Sequence, residues 1–296
     1  MKVDPRAIEA IRTKVERAHD HFVFLDQEVR RFQDREPYQF VHEIRADGAQ
    51  HLFRLKLEEP VPPMWSVVLG ETIHNLRSAL DQAVYWLTID NMGTEFSKTG
   101  FPVFTRRLRL GKESGFAEIS RKYPEGIPGS GLYMIRGVGS GPATFIERLQ
   151  PYPQRRGPLP KSLLALHEFW NQDKHRLVHL WGFVITGNTQ MRISGTGPFS
   201  ECLPKPASGV FDDGAVAVRV TCNPPNPDVE IHGKTHIDVA VKHPSKHRRR
   251  AQVTLMDMFW DIAGVVARLL NALGRQDELV RHGAIPESEW GWPVKP

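Results

Sequence analysis

Ile8, Ile11, Val15, Ala18, Phe22, Leu25, Val29 and Phe32 recur in steps of three and four. That spacing predicts one long amphipathic helix over about 5–33. Asp4-Pro5 ahead of it supplies a capping carboxylate, then a proline where its missing N–H is harmless. A second stripe, Leu69, Ile73, Leu76, Leu80, Ala83 and Leu87, predicts a helix over about 65–90. A third opens after Pro160 and runs to about 180, with Leu166, Phe169, Trp170, Leu177 and Leu180 on its apolar face. A fourth spans about 249–273 and ends at Gly274, a suitable C-terminal cap.

Between these helices the period changes. FVHEIRADGAQHLFRLKL carries two β-rich runs around Asp47-Gly48, which predicts a hairpin over about 38–58. From 181 to 243, FVITG, TQMRIS, AVAVRVTC, VEIHG and HIDVAVKH alternate with period two between turn residues. The stretch 91–160 is rich in Gly and Pro and reads as irregular cover with one short helix near 142–149. The expected fold class is therefore mainly α, and α+β overall: a bundle of about four long helices with a hairpin and an inserted small antiparallel sheet. The expected division is a bundle of 1–180 plus 249–296, with the β region at 181–248 inserted.

One polar row interrupts this pattern. His74, Arg77, Ser78, Asp81 and Tyr85 share an arc that borders the apolar stripe of the second helix. On the third helix, Asp173 projects from the apolar face, Lys174 lies at its edge, and Asn171, His175 and His179 follow on the neighbouring arc. A carboxylate in a dry core needs a cation, and Arg77 has the planar fork that suits one. The expectation is an Arg77–Asp173 pair between the two helices. Two readings stay open: a structural network that aligns the helices, or a site where His74, Arg77, Asp81 and His175 converge on a ligand or scissile bond.

Composition narrows the classes. At 40% hydrophobic residues and 25% charged over 296 residues, the chain has enough apolar side chain for a large core. Its net charge of +5 permits a polyanionic partner. The run KHPSKHRRR at 242–250 makes Lys246, Arg248, Arg249 and Arg250 the candidate nucleic-acid contacts, because cations ahead of a helix oppose its macrodipole. TRRLRLGK at 105–112 is a second basic stretch, and GVGSGP lacks the Lys-Ser/Thr of a phosphate loop. No cofactor is expected, and no metal: His175 and His179 have Arg176 where a zinc helix places Glu, and Glu16–His19 and Glu71–His74 lack the further carboxylates of a di-iron site. With only Cys202 and Cys222 and no CxxC, a disulfide scaffold and a zinc ribbon are excluded. The charged start has no apolar signal core and no apolar run approaches bilayer length, so a cytoplasmic location without a membrane is expected.

GETIHNLRSALDQAVYWL, FPVF, ERLQPY and HEFWNQDKHRLVH together resemble a family of uncharacterised bacterial proteins. Its members carry an HNLRSALDH helix, an FPI element, LQPY and an N-x-DKHR helix in that order. Asp81, Asn171, Asp173, Lys174, His175 and Arg176 fit the pattern over roughly 65–182, whereas Gln82 stands where histidine is usual. More distantly, the helical layout is similar to HEPN-type domains, many of which are ribonucleases of toxin–antitoxin or antiviral systems. Their signature, Arg followed by four to six residues and His, is met by Arg12 and His19, although on the first helix. The resemblance implies RNA binding or metal-independent RNA cleavage, with RNA and a second copy of the chain as candidate partners. The alternative is a non-catalytic interaction or ligand-binding module.

Overall fold

The computed structural model describes residues 3–107, 109–110, 113–123, 131–152, 158–174, 180–185, 192–194, 201–206, 210–211, 213–232, 237–241 and 255–273. Its helices are α1 (Pro5–Asp34), α2 (Pro63–Met92), α3 (Phe116–Lys122), α4 (Ser140–Leu149), α5 (Pro158–Asp173) and α6 (Leu255–Asn271). Its strands are β1 (Tyr38–Arg45), β2 (Gln50–Leu57), β3 (Arg109–Leu110), β4 (Glu113–Ser114), β5 (Leu180–Ile185), β6 (Arg192–Ser194), β7 (Glu201–Pro206), β8 (Val210–Phe211), β9 (Val216–Asn223), β10 (Glu230–His232) and β11 (Ile237–Val241). The fold is mainly α with antiparallel sheets, as the two periodicities imply. No described helix is long and apolar enough to cross a membrane.

The chain divides into two compact units. One comprises Met1–Phe22, Val68–Leu177 and His243–Pro296; the other comprises Val23–Val67 and Val178–Lys242. In the first, α1 starts where Asp4 caps it, its Oδ1 accepting the Arg6 N–H at 2.9 Å. Leu69, Ile73, Leu76, Leu80, Ala83 and Leu87 of α2 are all fully buried, and so are Thr72, Ala79 and Val84 off the stripe. A helix enclosed on more than one side has few wet positions for its polar residues, which explains why Arg77 of the polar row ends up inside. On α5, Ser162, Leu163, Ala165 and Leu166 are buried, and the Ser162 hydroxyl donates to the Asp261 carboxylate of α6.

Two expectations change here. α5 ends at Asp173 rather than near 180; residues 175–179 lie outside the described residues, and Leu180 already belongs to β5. The start of α6 before Leu255 and the cap at Gly274 also lie outside them. The stretch 91–160 holds more order than its Gly/Pro content suggested, because α3 forms within it. Phe116 and Ile119, three apart, are buried, and Glu147 of α4 accepts the Phe116 N–H at 2.9 Å, satisfying an otherwise orphaned helix donor. Gly115 makes this possible: its φ is +104°, and a Cβ there would lie 2.7 Å from Glu147 Oε2.

In the second unit the hairpin forms as expected, with Tyr38 opposite Leu57 and Arg45 opposite Gln50. Ala46, Asp47 and Gly48 all take positive φ at its tip. The hairpin does not belong with the bundle, however. β2 pairs with β9, giving one antiparallel sheet in the order β1-β2-β9-β7. Burial supplies the reason: Leu52, Phe53 and Leu55 of β2 and Ala217, Val218, Val220 and Cys222 of β9 are all buried, so these central strands are covered on both faces. His51, fully buried, donates Nε2–H toward the carbonyls of Gly48 (3.1 Å) and Asn226 (2.8 Å), which leaves Nδ1 to accept from His42 Nε2 at 2.9 Å. A single disulfide is present, which is not a disulfide scaffold. Cys222 is disulfide-bonded, and Cys202, the chain's only other cysteine, stands directly opposite it in the β7–β9 register.

Candidate functional site

Arg77 and Asp81 sit one turn apart on α2, the spacing at which a fork and a carboxylate meet on one helix face. Arg77 is only 3% exposed. Its Nη2 donates to Asp81 Oδ1 at 2.8 Å and its Nε to Oδ2 at 3.2 Å, a two-point contact. The same Nη2 donates to the Phe101 carbonyl, while the Phe101 N–H donates to Asp81 Oδ1 at 2.8 Å. One ion pair therefore grips both polar groups of a single loop residue. Gly100 lets the loop come this close, since a Cβ there would lie 2.9 Å from Asp81 Oδ1.

A second grip lies three residues on. Gln150, fully buried at the end of α4, accepts the Phe104 N–H at 2.7 Å and donates to the carbonyls of Pro102 (3.1 Å) and Ile146 (2.9 Å). Thus HNLRSALD, FPVF and LQPY meet in one hydrogen-bonded lock: Arg77 and Asp81 hold Phe101, and Gln150 holds Pro102 and Phe104. Buried loop backbone requires such partners.

The last turn of α5 adds cations. Arg77 Cζ lies 4.8 Å, and Lys174 Nζ 3.0 Å, from the centroid of the Trp170 indole. Burial lowers the Lys174 pKa; Arg77 lowers it further, and Asp81 pulls it back. His167, one turn before Asn171, contacts that amide through Nε2 at 3.0 Å. Burial first, then Arg77 and Lys174, push its pKa down to about 4, so its ring is neutral at neutral pH.

The expected Arg77–Asp173 pair is replaced by Arg77–Asp81. Among the described residues Arg77 forms its ion pair within α2, and Asp173 lies instead against the backbone of Gly70, where a Cβ would sit 2.5 Å from its Oδ1. Burial raises the Asp173 pKa, and His74 counters it. Two causes account for the change: Asp81 already satisfies the fork, and Gly70 opens a different seat for Asp173. His74 is exposed, and Asn171 and Lys174 are exposed at the rim of α5. Tyr85 points elsewhere in bonding, donating to Glu95 at 2.6 Å. His175, Lys246, Arg248, Arg249 and Arg250 lie outside the described residues.

Other sequence pairings separate. Glu71 reaches His21 at 3.4 Å, and the His19 ring packs 5.4 Å from Phe259 and 5.9 Å from Trp260. Among the described residues no group of three His, Cys, Asp or Glu converges as a metal site would require. Gln150, Trp170 and His167 also belong to the cluster, although the helical projections do not mark them as site residues. Signals for them exist: a glutamine one residue after a short helix's apolar face, and a histidine four residues before Asn171. Comparison with family models, with curated proteins and with solved structures gives no match.

Proposed function

We propose that the chain is a non-catalytic ligand-binding module in which Arg77 and Asp81 are architectural. The observation that carries this reading is the occupancy of the ion pair. Asp81 receives two guanidinium bonds and one backbone N–H, and Arg77 also supports the Phe101 carbonyl. A carboxylate so engaged is a poor general base, because each donor stabilises its ionised form and must be released before it takes a proton.

RNA binding or metal-independent RNA cleavage in a bacterial defence setting is the second reading, in line with the HEPN resemblance. A specific observation favours it: a neutral imidazole, His167, beside the cations Arg77 and Lys174, a set that could accept a proton and stabilise an anion. One experiment separates the two. Full-length protein is incubated with end-labelled single-stranded RNA in EDTA and sampled over hours. The module reading expects intact RNA. It is overturned by cleavage that disappears in His167→Ala or Lys174→Ala while the circular dichroism spectrum and melting temperature stay unchanged.

A further inference from the structure

Two buried nitrogens in and beside the lock have no hydrogen-bond partner among the described residues. Arg77 Nη1 is buried and has no hydrogen-bond partner among the described residues, although Nε and Nη2 are fully used. His167 Nδ1 is likewise buried and without a partner. Its tautomer follows from the other ring nitrogen: the Asn171 amide group donates to Nε2, so in the neutral ring the proton sits on Nδ1. Lys174 brings an ammonium to the same indole that Arg77 faces. Arg77 and Lys174 thus both face the Trp170 indole, His167 stands three residues before it on the same side of α5, and Asp81, the carboxylate bound to Arg77, already has its bonds made.

Donors without acceptors define what completes them. A neutral amide or hydroxyl brings a donor of its own, whereas an oxyanion brings acceptors only. A carboxylate offers two oxygens in one plane. A phosphate offers at least three directed out of plane, which suits donors arriving from a helix core (Arg77), an adjacent helix (His167) and a flexible stem (Lys174). Lys174 and Asn171 are exposed while Arg77 is buried, so the cluster meets solvent at the end of α5 and has its fixed charge at its base.

From this we propose that Arg77 Nη1, His167 Nδ1 and Lys174 Nζ form a binding site for one phosphate group, carried by a small phosphorylated molecule or by the backbone of a short nucleic acid. The site rests on reading the chain as a binding module, and it names that module's ligand class. Arg77 has both a structural and a binding task, so Arg77→Ala removes the lock along with the site; Lys174→Ala and His167→Ala carry the test instead.

Isothermal titration of the full chain with inorganic phosphate, in HEPES with chloride held constant, is expected to give saturable one-to-one binding. Lys174→Ala and His167→Ala should each weaken it at least tenfold, with melting temperatures within about 2 °C of the unaltered chain. Phosphate should also shift the His167 ring resonances in proton NMR spectra, identified by their absence in His167→Ala. Competition with a nucleoside monophosphate and with a six-nucleotide RNA distinguishes the two sources; displacement by either supports the site. Absence of saturable phosphate binding overturns the proposal, as does unchanged affinity in Lys174→Ala. If phosphate binds as described but RNA is cleaved, the non-catalytic reading falls and the phosphate site stands.

Discussion

Replacing Asp81 by alanine removes, at one stroke, the acceptor of two guanidinium hydrogen bonds and of the Phe101 amide. Arg77 stays behind at 3% exposure. Stranding a buried charge costs about 3–5 kcal/mol, and the orphaned backbone donor adds about 1 kcal/mol. Asp81 itself is 29% exposed, so water entering the vacated space screens part of the charge. The Trp170 face and the Phe101 carbonyl also continue to support the guanidinium. A net loss of about 3 kcal/mol follows, equivalent to a fall of roughly 6–12 °C for a chain of this size. Asp81→Asn keeps the shape and an acceptor for Phe101 but loses charge assistance, and should cost about half as much. Asp173→Ala is the contrast. Asp173 has its pKa raised by burial, so its charged form gains nothing from the fold, and its removal should stay within about 1 kcal/mol of neutral. Two measurements check this: differential scanning calorimetry for the melting transition, and hydrogen–deuterium exchange at the Phe101 amide, whose protection should collapse in Asp81→Ala alone. If Asp173→Ala destabilises the protein as much as Asp81→Ala, the assignment of Arg77 to Asp81 is wrong.

Two further outcomes are expected. His167 has a folded pKa of about 4 against 6.5 when unfolded, so between these values the unfolded chain binds a proton that the native chain does not; stability is present above pH 6.5, falls as pH drops towards 4, and loses about 1–2 kcal/mol after allowing for partial exposure. Urea titrations at pH 7 and pH 4.5 measure the loss, and His167→Gln should remove it; an identical pH dependence in that variant refutes the reasoning. Reducing the Cys222 disulfide should destabilise the sheet unit by about 3 kcal/mol. Thiol trapping on cell lysis is expected to find Cys222 blocked; a free thiol there would refute the bond.

What the chain's periodicity reveals, and what it hides, divides along a physical line. Helical stripes are legible because burial is a property of one helix at a time: every α2 position in the predicted stripe is fully buried, and the Asp4 cap acts two residues away on its own chain. The hairpin is legible for the same reason, its Asp47-Gly48 turn being local. Azimuth on a helix, however, says only which way a side chain leaves the axis. It cannot say whether another helix or a loop arrives to meet it. Azimuth and charge complementarity pair Arg77 with Asp173, yet Asp81 and the loop at Phe101 take that role, the loop admitted by Gly100 and fixed from behind by Gln150, 46 and 48 residues away in the chain from the groups it holds. The same limit hid the Cys202–Cys222 register, which depends on strand pairing rather than spacing. It also hid the donor cluster. Only when the Asp81 and Phe101 bonds are assigned does Arg77 show a donor to spare, and only beside Asn171 does His167 acquire a defined tautomer. A ligand site of this kind is a remainder, visible after the architectural bonds are subtracted, and that subtraction requires knowing which loop each buried charge holds.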